Sequence, residues 1–242
     1  MRILYLMPAP VARGPLGPGE LQRREAVLRA RASAAFEWRV GDTDDGPSCI
    51  ESLADEERCI PGMLRAAAAA ERDGYDALVI GCFADPGLAA ARALLRIPVI
   101  GPAEAALDLA CQTGRRYAVL TTSDEVLPLI HKVAQATGHA AQMAGIRTLA
   151  IPVLKVAADR EPMLQRLRSA GSLAVSEDGA GVLVLGCMSL AFLDLAAELQ
   201  ERLRVPVVCP LAAAVQRAEA VLAARSRELG LGTPGQELSV SA

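Results

Sequence analysis

The sequence predicts an α/β protein of two similar lobes, each built on a parallel sheet. Short apolar runs alternate with Ala/Leu/Glu/Arg-rich segments of helical period, the pattern of successive βαβ units. Part of that pattern occurs twice. Asp76-Ala77-Leu78-Val79-Ile80-Gly81-Cys82 leads through a helix to Ile97-Pro98-Val99-Ile100 and an Ala-rich helix, and Gly181-Val182-Leu183-Val184-Leu185-Gly186-Cys187 leads through a helix to Val205-Pro206-Val207-Val208 and another. The insert differs by three residues, about one helical turn. Two copies are too few for a solenoid and point to two lobes related by pseudo-symmetry. With 242 residues, 52% hydrophobic and 22% charged, the chain has the length and composition to fill such cores.

Taken in order, the run at 2–7 is a buried strand, too short for a signal segment of roughly 7–15 apolar residues with a cleavage site. Gly14-Pro15-Leu16-Gly17-Pro18-Gly19 lacks the Lys-Ser/Thr of a phosphate-binding loop, so it is either a loop over a site or a plain connection. A helix at 19–35 and a strand at 36–41 follow. Ser48-Cys49-Ile50-Glu51-Ser52 opens a helix at 53–73, which Gly74 ends. A strand at 76–81, a helix at 86–95, a strand at 97–100 and a helix at 103–113 complete the first copy. The strand at 116–121 runs into Thr121-Thr122-Ser123, a capping sequence for a helix at 124–137 with Asp124 and Glu125 in its first turn. Gly114 and Gly138 close helices, and Pro98 and Pro206 mark strand starts where no helix continues. Then come strands at 147–153, 181–186 and 205–208 and helices at 160–178, 190–203 and 211–228. The segment 232–242 is polar and is expected to fray.

Several partner classes are excluded. A net charge of -3 with 3% aromatics gives neither the basic face nor the stacking platforms that nucleic acid needs. No apolar stretch approaches the roughly 18 residues of a membrane span. Without an export signal the six cysteines are expected as cytoplasmic thiols, and no C-x-x-C or histidine-rich pattern marks a metal site.

Those thiols are either core filler or chemistry. A lone strand-end cysteine is more often filler, but the same Gly-Cys at equivalent strand ends in both copies favours chemistry for Cys82 and Cys187. Ligands of open parallel sheets bind beyond the carboxyl ends of strands. A following helix N-terminus is expected to lower each thiol pKa, and the amides at 83–85 and 188–190 are expected to be free for a carboxylate or enolate. Cys49, Cys59, Cys111 and Cys209 lack the repeated context; Cys209 matches Gly101 and is assigned to packing. His131 and His139 are placed on the surface.

The residues Gly81-Cys82-Phe83-Ala84-Asp85-Pro86-Gly87-Leu88, Pro98-Val99-Ile100-Gly101-Pro102-Ala103-Glu104-Ala105 and Gly186-Cys187-Met188 resemble, in order along nearly the whole chain, the aspartate/glutamate racemase superfamily and its hydantoin racemase-like branch. The resemblance implies two flavodoxin-like lobes with the active site in the cleft between them. It also implies a chain that crosses over, giving 1–102 plus 210–242 and 103–209. A homo-oligomer with no cofactor and no metal is implied too. It assigns Cys82 and Cys187 to a 1,1-proton transfer at a carbon next to a carbonyl of a small molecule such as a hydantoin. Pro8, Ile50, Gly81, Phe83, Ala84, Thr121, Thr122, Ser123, Gly186, Met188 and Ser189 are the positions expected against substrate. Two departures stand out: the first strand ends in Met7-Pro8-Ala9-Pro10 where the family has Asn-Pro-Asn-Thr or Ser, and Met188-Ser189 replaces Ala-Gly, which narrows that side of the pocket. Arylmalonate decarboxylase or maleate isomerase chemistry, and a two-lobed binding protein without catalysis, are the alternatives.

Overall fold

The computed structural model describes residues 1–156 and 160–228. Strands β1 (Arg2–Met7), β2 (Glu37–Asp42), β3 (Ala77–Ile80) and β4 (Val99–Ile100) form one parallel sheet in the order β2-β1-β3-β4. Strands β5 (Tyr117–Thr121), β6 (Met143–Thr148), β7 (Val182–Leu185) and β8 (Val207–Val208) form a second with the same order, β6-β5-β7-β8. The duplication therefore extends beyond the repeated segment to the strands before it. Its register matches as well: Leu78 pairs with Val99 and Leu183 with Val207, and their amides bond to Pro98 and Pro206 carbonyls at 2.9 Å in both copies.

Helices α1 (Pro18–Arg31), α2 (Leu53–Arg72), α3 (Leu88–Leu94) and α9 (Pro210–Glu228) cover the first sheet. The second is covered by α4 (Pro102–Cys111), α5 (Leu127–Ala136), α6 (Arg160–Ser176) and α8 (Ala196–Leu203), with the single turn α7 (Met188–Ala191) after β7. Strand alternation sorts the cores. Ile3 and Tyr5 face α1 and α9 beside Trp38 and Leu222, whereas Leu4 and Leu6 face Met63 of α2. In the second sheet Val119 and Val184 meet Leu107 and Leu129, and Leu120 and Leu183 meet Leu164 and Leu199. The inner strands β1, β3, β5 and β7 are buried almost throughout, which is why they read as unbroken apolar runs. α4 follows the first sheet in sequence but packs on β7 and β8. α9 follows the second sheet but packs on β3 and β4.

Some expectations need correction. The sixth strand is 143–148 rather than 147–153: it is a half-buried edge strand without strong patterning, and Ala150 (φ 51°) and Pro152 take the apolar run after it out of the sheet. The helix expected at 190–203 is two helices, because Asp194 adopts the left-handed conformation (φ 57°) between buried Phe192 and Leu195. The helix expected at 124–137 begins as a 3-10 turn at Asp124–Val126. The segment 232–242 lies outside the described residues.

Candidate active site

In a sheet of order 2-1-3-4 the switch point lies between the first and third strands, where the chain departs to opposite sides. The two sheets bring their switch points to one cavity. Gly81 and Gly186 stand at matching places just beyond β3 and β7, their amides donating to Leu6 and Leu120 carbonyls at 2.7 Å in both cases. Neither tolerates a side chain: a Cβ on Gly81 would lie 2.8 Å from the Tyr5 ring, and one on Gly186 2.4 Å from Val119 Cγ1. The chain can thus turn tightly across the neighbouring strand and deliver the next residue, Cys82 or Cys187, into the gap. Both cysteines line a cavity with an empty volume of about 710 Å³, its mouth included.

Of the positions expected against substrate, Pro8, Ile50, Gly81, Phe83, Ala84, Thr121, Thr122, Gly186, Met188 and Ser189 line this cavity with the two cysteines. Ser123 does not. It is extended (φ −142°) as the chain leaves β5 for the 3-10 turn, and it faces a separate depression shared with Glu51 and Asp124. The two threonines differ. Thr121 Oγ1 donates to the Gly186 carbonyl at 3.1 Å, tying the two inner strand ends together, while Thr122 Oγ1 is buried without a hydrogen-bond partner.

The surroundings of the thiols contradict the expected lowering of their pKa values. Burial pushes both thiols up. For Cys82 the amide of Ala84 opposes this, while Cys59, Cys187 and Asp85 reinforce it. For Cys187 the amides of Leu190 and Ser189, the Arg24 charge and the Ser189 hydroxyl all oppose it. Cys82 does not immediately precede a helix either: α3 starts at Leu88, after Gly87 in the left-handed conformation. Nor are most of the amides after the cysteines free donors. Those of Ala84, Ser189 and Leu190 are directed at sulfur, and that of Asp85 donates to the Cys82 carbonyl at 3.2 Å.

Sequence reading missed several residues here. Arg24 of α1 is only 3% exposed, borders the cavity and donates from Nε to Glu20 at 2.7 Å and from Nη2 to Ser189 Oγ at 3.1 Å. Glu20 and Arg24 are four apart, a spacing that in sequence reads as an exposed helix pair. Val153 and Leu154 also line the wall. The apolar run containing them was the available signal, absorbed into a strand that ends earlier. Cys49 borders the cavity with its thiol donating to Glu51 at 3.2 Å, and burial and that carboxylate push it up to about 12. Elsewhere the assignments are unremarkable: Cys209 packs in the first core, His131 is exposed and His139 pairs with Asp108 at 2.6 Å. Among the described residues no group of three His, Cys, Asp or Glu is arranged to hold a metal ion, and no helix is long and apolar enough to cross a membrane.

Residues 21–218 match the sequence profile of the Asp/Glu/Hydantoin racemase family. The chain belongs to this family. The hydantoin racemase of Rhizobium meliloti is 39% identical over 180 residues, covering 74% of each chain. Among solved structures, allantoin racemase from Klebsiella pneumoniae superposes with a TM-score of 0.81 at 30% identity, covering 100% of this chain and 96% of that one. The allantoin racemase of Pseudomonas fluorescens gives 0.83 at 26% identity, covering both chains fully. As an Asp/Glu/Hydantoin racemase the chain is an isomerase acting on a small molecule, which sets aside the binding protein without catalysis.

Proposed function

We propose that the protein racemises 5-substituted hydantoins whose 5-substituent is apolar, with Cys82 and Cys187 as the acid/base pair and no cofactor. The observation that carries this reading is the matched delivery of two thiols, by equivalent glycines at equivalent strand ends, into one cavity. One cysteine as thiolate takes the α-proton: the C–H bond breaks, an S–H bond forms, and the electron pair moves onto the carbonyl oxygen as enolate. The other cysteine, as thiol, donates its proton to the opposite face of the planar carbon, and the roles exchange in the reverse direction. A charge on Cys187 raises the Cys82 pKa, and in this scheme the pair shares one exchangeable proton. The lobe bounds taken for this scheme are 1–102 with 210–242 and 103–209, of which residues 157–159 and 229–242 lie outside the described residues.

The apolar substituent is argued from the wall. Val11, Leu16, Ile50, Leu129, Val153 and Leu154 border the cavity. Thr122 Oγ1 is the unpartnered buried hydroxyl there, and Arg24 already serves Glu20 and Ser189. A ureido substituent, as in allantoin, brings several donors and acceptors that such a wall would leave unpaired, at about 1–3 kcal/mol each. Single enantiomers of 5-benzylhydantoin, 5-isobutylhydantoin and allantoin, followed by polarimetry against the uncatalysed rate, test the assignment. Loss of rotation is expected to be at least tenfold more efficient, in kcat/KM, for the first two. Preferred turnover of allantoin would overturn the substrate assignment.

A further inference from the structure

The two thiols occupy matching backbone positions but unlike surroundings. We propose that Glu20, Arg24 and Ser189 form a polar relay that makes Cys187, rather than Cys82, the first of the two thiols to ionise. The proposal rests on the two-thiol reading above and assigns the order in which the two thiols ionise.

The geometry is a chain of three buried groups reaching from α1 to α7. Glu20 accepts from Arg24 Nε at 2.7 Å and also from Arg23 at 2.7 and 2.8 Å, so its carboxylate is held by two guanidinium groups. Arg24 lies over the Phe192 ring at 4.7 Å, and that ring meets Tyr5 edge-on at 5.5 Å between centroids. The guanidinium is thus fixed in position by packing as well as by Glu20. Its Nη2 donates to Ser189 Oγ, leaving the hydroxyl hydrogen to turn towards Cys187 Sγ. A hydroxyl that accepts from a cation is a stronger donor to the next group.

The groups facing each thiol sharpen the contrast. Cys187 meets Arg24 from α1, the Ser189 hydroxyl, the amides of Ser189 and Leu190, the neutral phenol of Tyr5 on β1, and Cys82. Cys82 meets the Ala84 amide, Cys59 from α2, Asp85, Tyr5 and Cys187, with no cation among them. Burial disfavours charge at both sulfurs, but compensation is concentrated at Cys187. Cys187 is then the thiol that ionises first and serves as the base, with Cys82 as the acid. After turnover Cys187 carries the proton taken from substrate, and the starting form returns by proton exchange with water or by reverse turnover.

Arg24 and Ser189 are positioning residues in this scheme, and the test reads the sulfur rather than the turnover. The whole protein is alkylated with iodoacetamide from pH 6 to 10, where thiolate attack forms the S–C bond and releases iodide. Rates are read separately for the peptides containing Cys82 and Cys187. Cys187 is expected to react first, with a midpoint below that of Cys82. Arg24→Met and, independently, Ser189→Ala are expected to move the Cys187 midpoint up by about one to two pH units. The Cys82 midpoint should stay unmoved or fall, and Arg24→Lys should restore part of the shift. Ser189→Ala leaves the Glu20–Arg24 pair intact, so it answers even if Arg24→Met does not fold. Earlier reaction at Cys82, or an unmoved Cys187 midpoint in Ser189→Ala, overturns the relay. Neither result touches the two-thiol scheme, which is read from racemisation by the cysteine variants.

Discussion

Asp85 shows how a residue close to the candidate site can serve structure. It sits in the left-handed conformation (φ 48°) and its carboxylate accepts the amides of Ala103 at 3.1 Å and Glu104 at 2.8 Å, capping α4. Gly101 is required beside it, since a Cβ there would fall 2.3 Å from Asp85 Oδ2. Burial lifts its pKa to about 7, outweighing the two amides. A carboxyl raised in the folded state from an unfolded value near ~4 contributes stability that is complete below that value and lost as pH rises through about 7. Asp85→Asn is therefore expected to flatten the melting-temperature profile between pH 4 and 7, measured by thermal unfolding against the parent protein. An unchanged slope would show that Asp85 is already ionised in the folded state. At this scale Cys82 and Cys187 were legible because their sequence context is duplicated. Arg24 was not, because nothing in the local pattern of α1 marks which polar side chain turns inward, and its partner Ser189 is 165 residues away.

Among the elements, the segment after β6 closes the cleft. Glu51 Oε1, just before α2, accepts the Val153 amide at 2.7 Å and so fastens the stretch carrying Val153 and Leu154 over the cavity. Glu56 of α2, paired with Lys132 of α5, bridges nearby. Removing the Glu51 carboxylate with Glu51→Ala is expected to raise KM for the preferred hydantoin by about tenfold, the lower end of what one hydrogen bond to a charged group is worth, while kcat changes less. Steady-state kinetics on one enantiomer check this, and a fall confined to kcat would contradict it. The same stretch explains what the sequence concealed. β3 and β7 are buried on both faces and announce themselves as apolar runs, whereas β6 is an edge strand and looks weaker than the apolar segment after it. The break between α7 and α8 is hidden because left-handed Asp194 lies in a Leu- and Ala-rich stretch with no glycine to mark it.

For the whole molecule, duplication is the main device. Two sheets of identical order direct their switch points at one cavity, and the exchange of α4 and α9 packs each sheet with a helix that follows the other. That arrangement puts a thiol from each half beside a shared space, the placement that the proposed two-thiol inversion uses. The paired strands and Gly-Cys turns were readable from internal similarity alone. The unlike surroundings of the two thiols were not, since they arise where the halves differ: Arg24 and Ser189 on one side, Asp85 and Cys59 on the other.

The central claim is that Cys82 and Cys187 each serve one face of the substrate. It is tested most directly by incubating single enantiomers of 5-benzylhydantoin in deuterated water with the parent protein, Cys82→Ser and Cys187→Ser, and following rotation and α-deuterium together. The parent should invert either enantiomer with deuterium uptake. Each variant should lose racemisation by at least about a thousandfold, and any remaining α-proton exchange should fall on opposite enantiomers in the two variants. Full two-way racemisation by either variant would contradict the account.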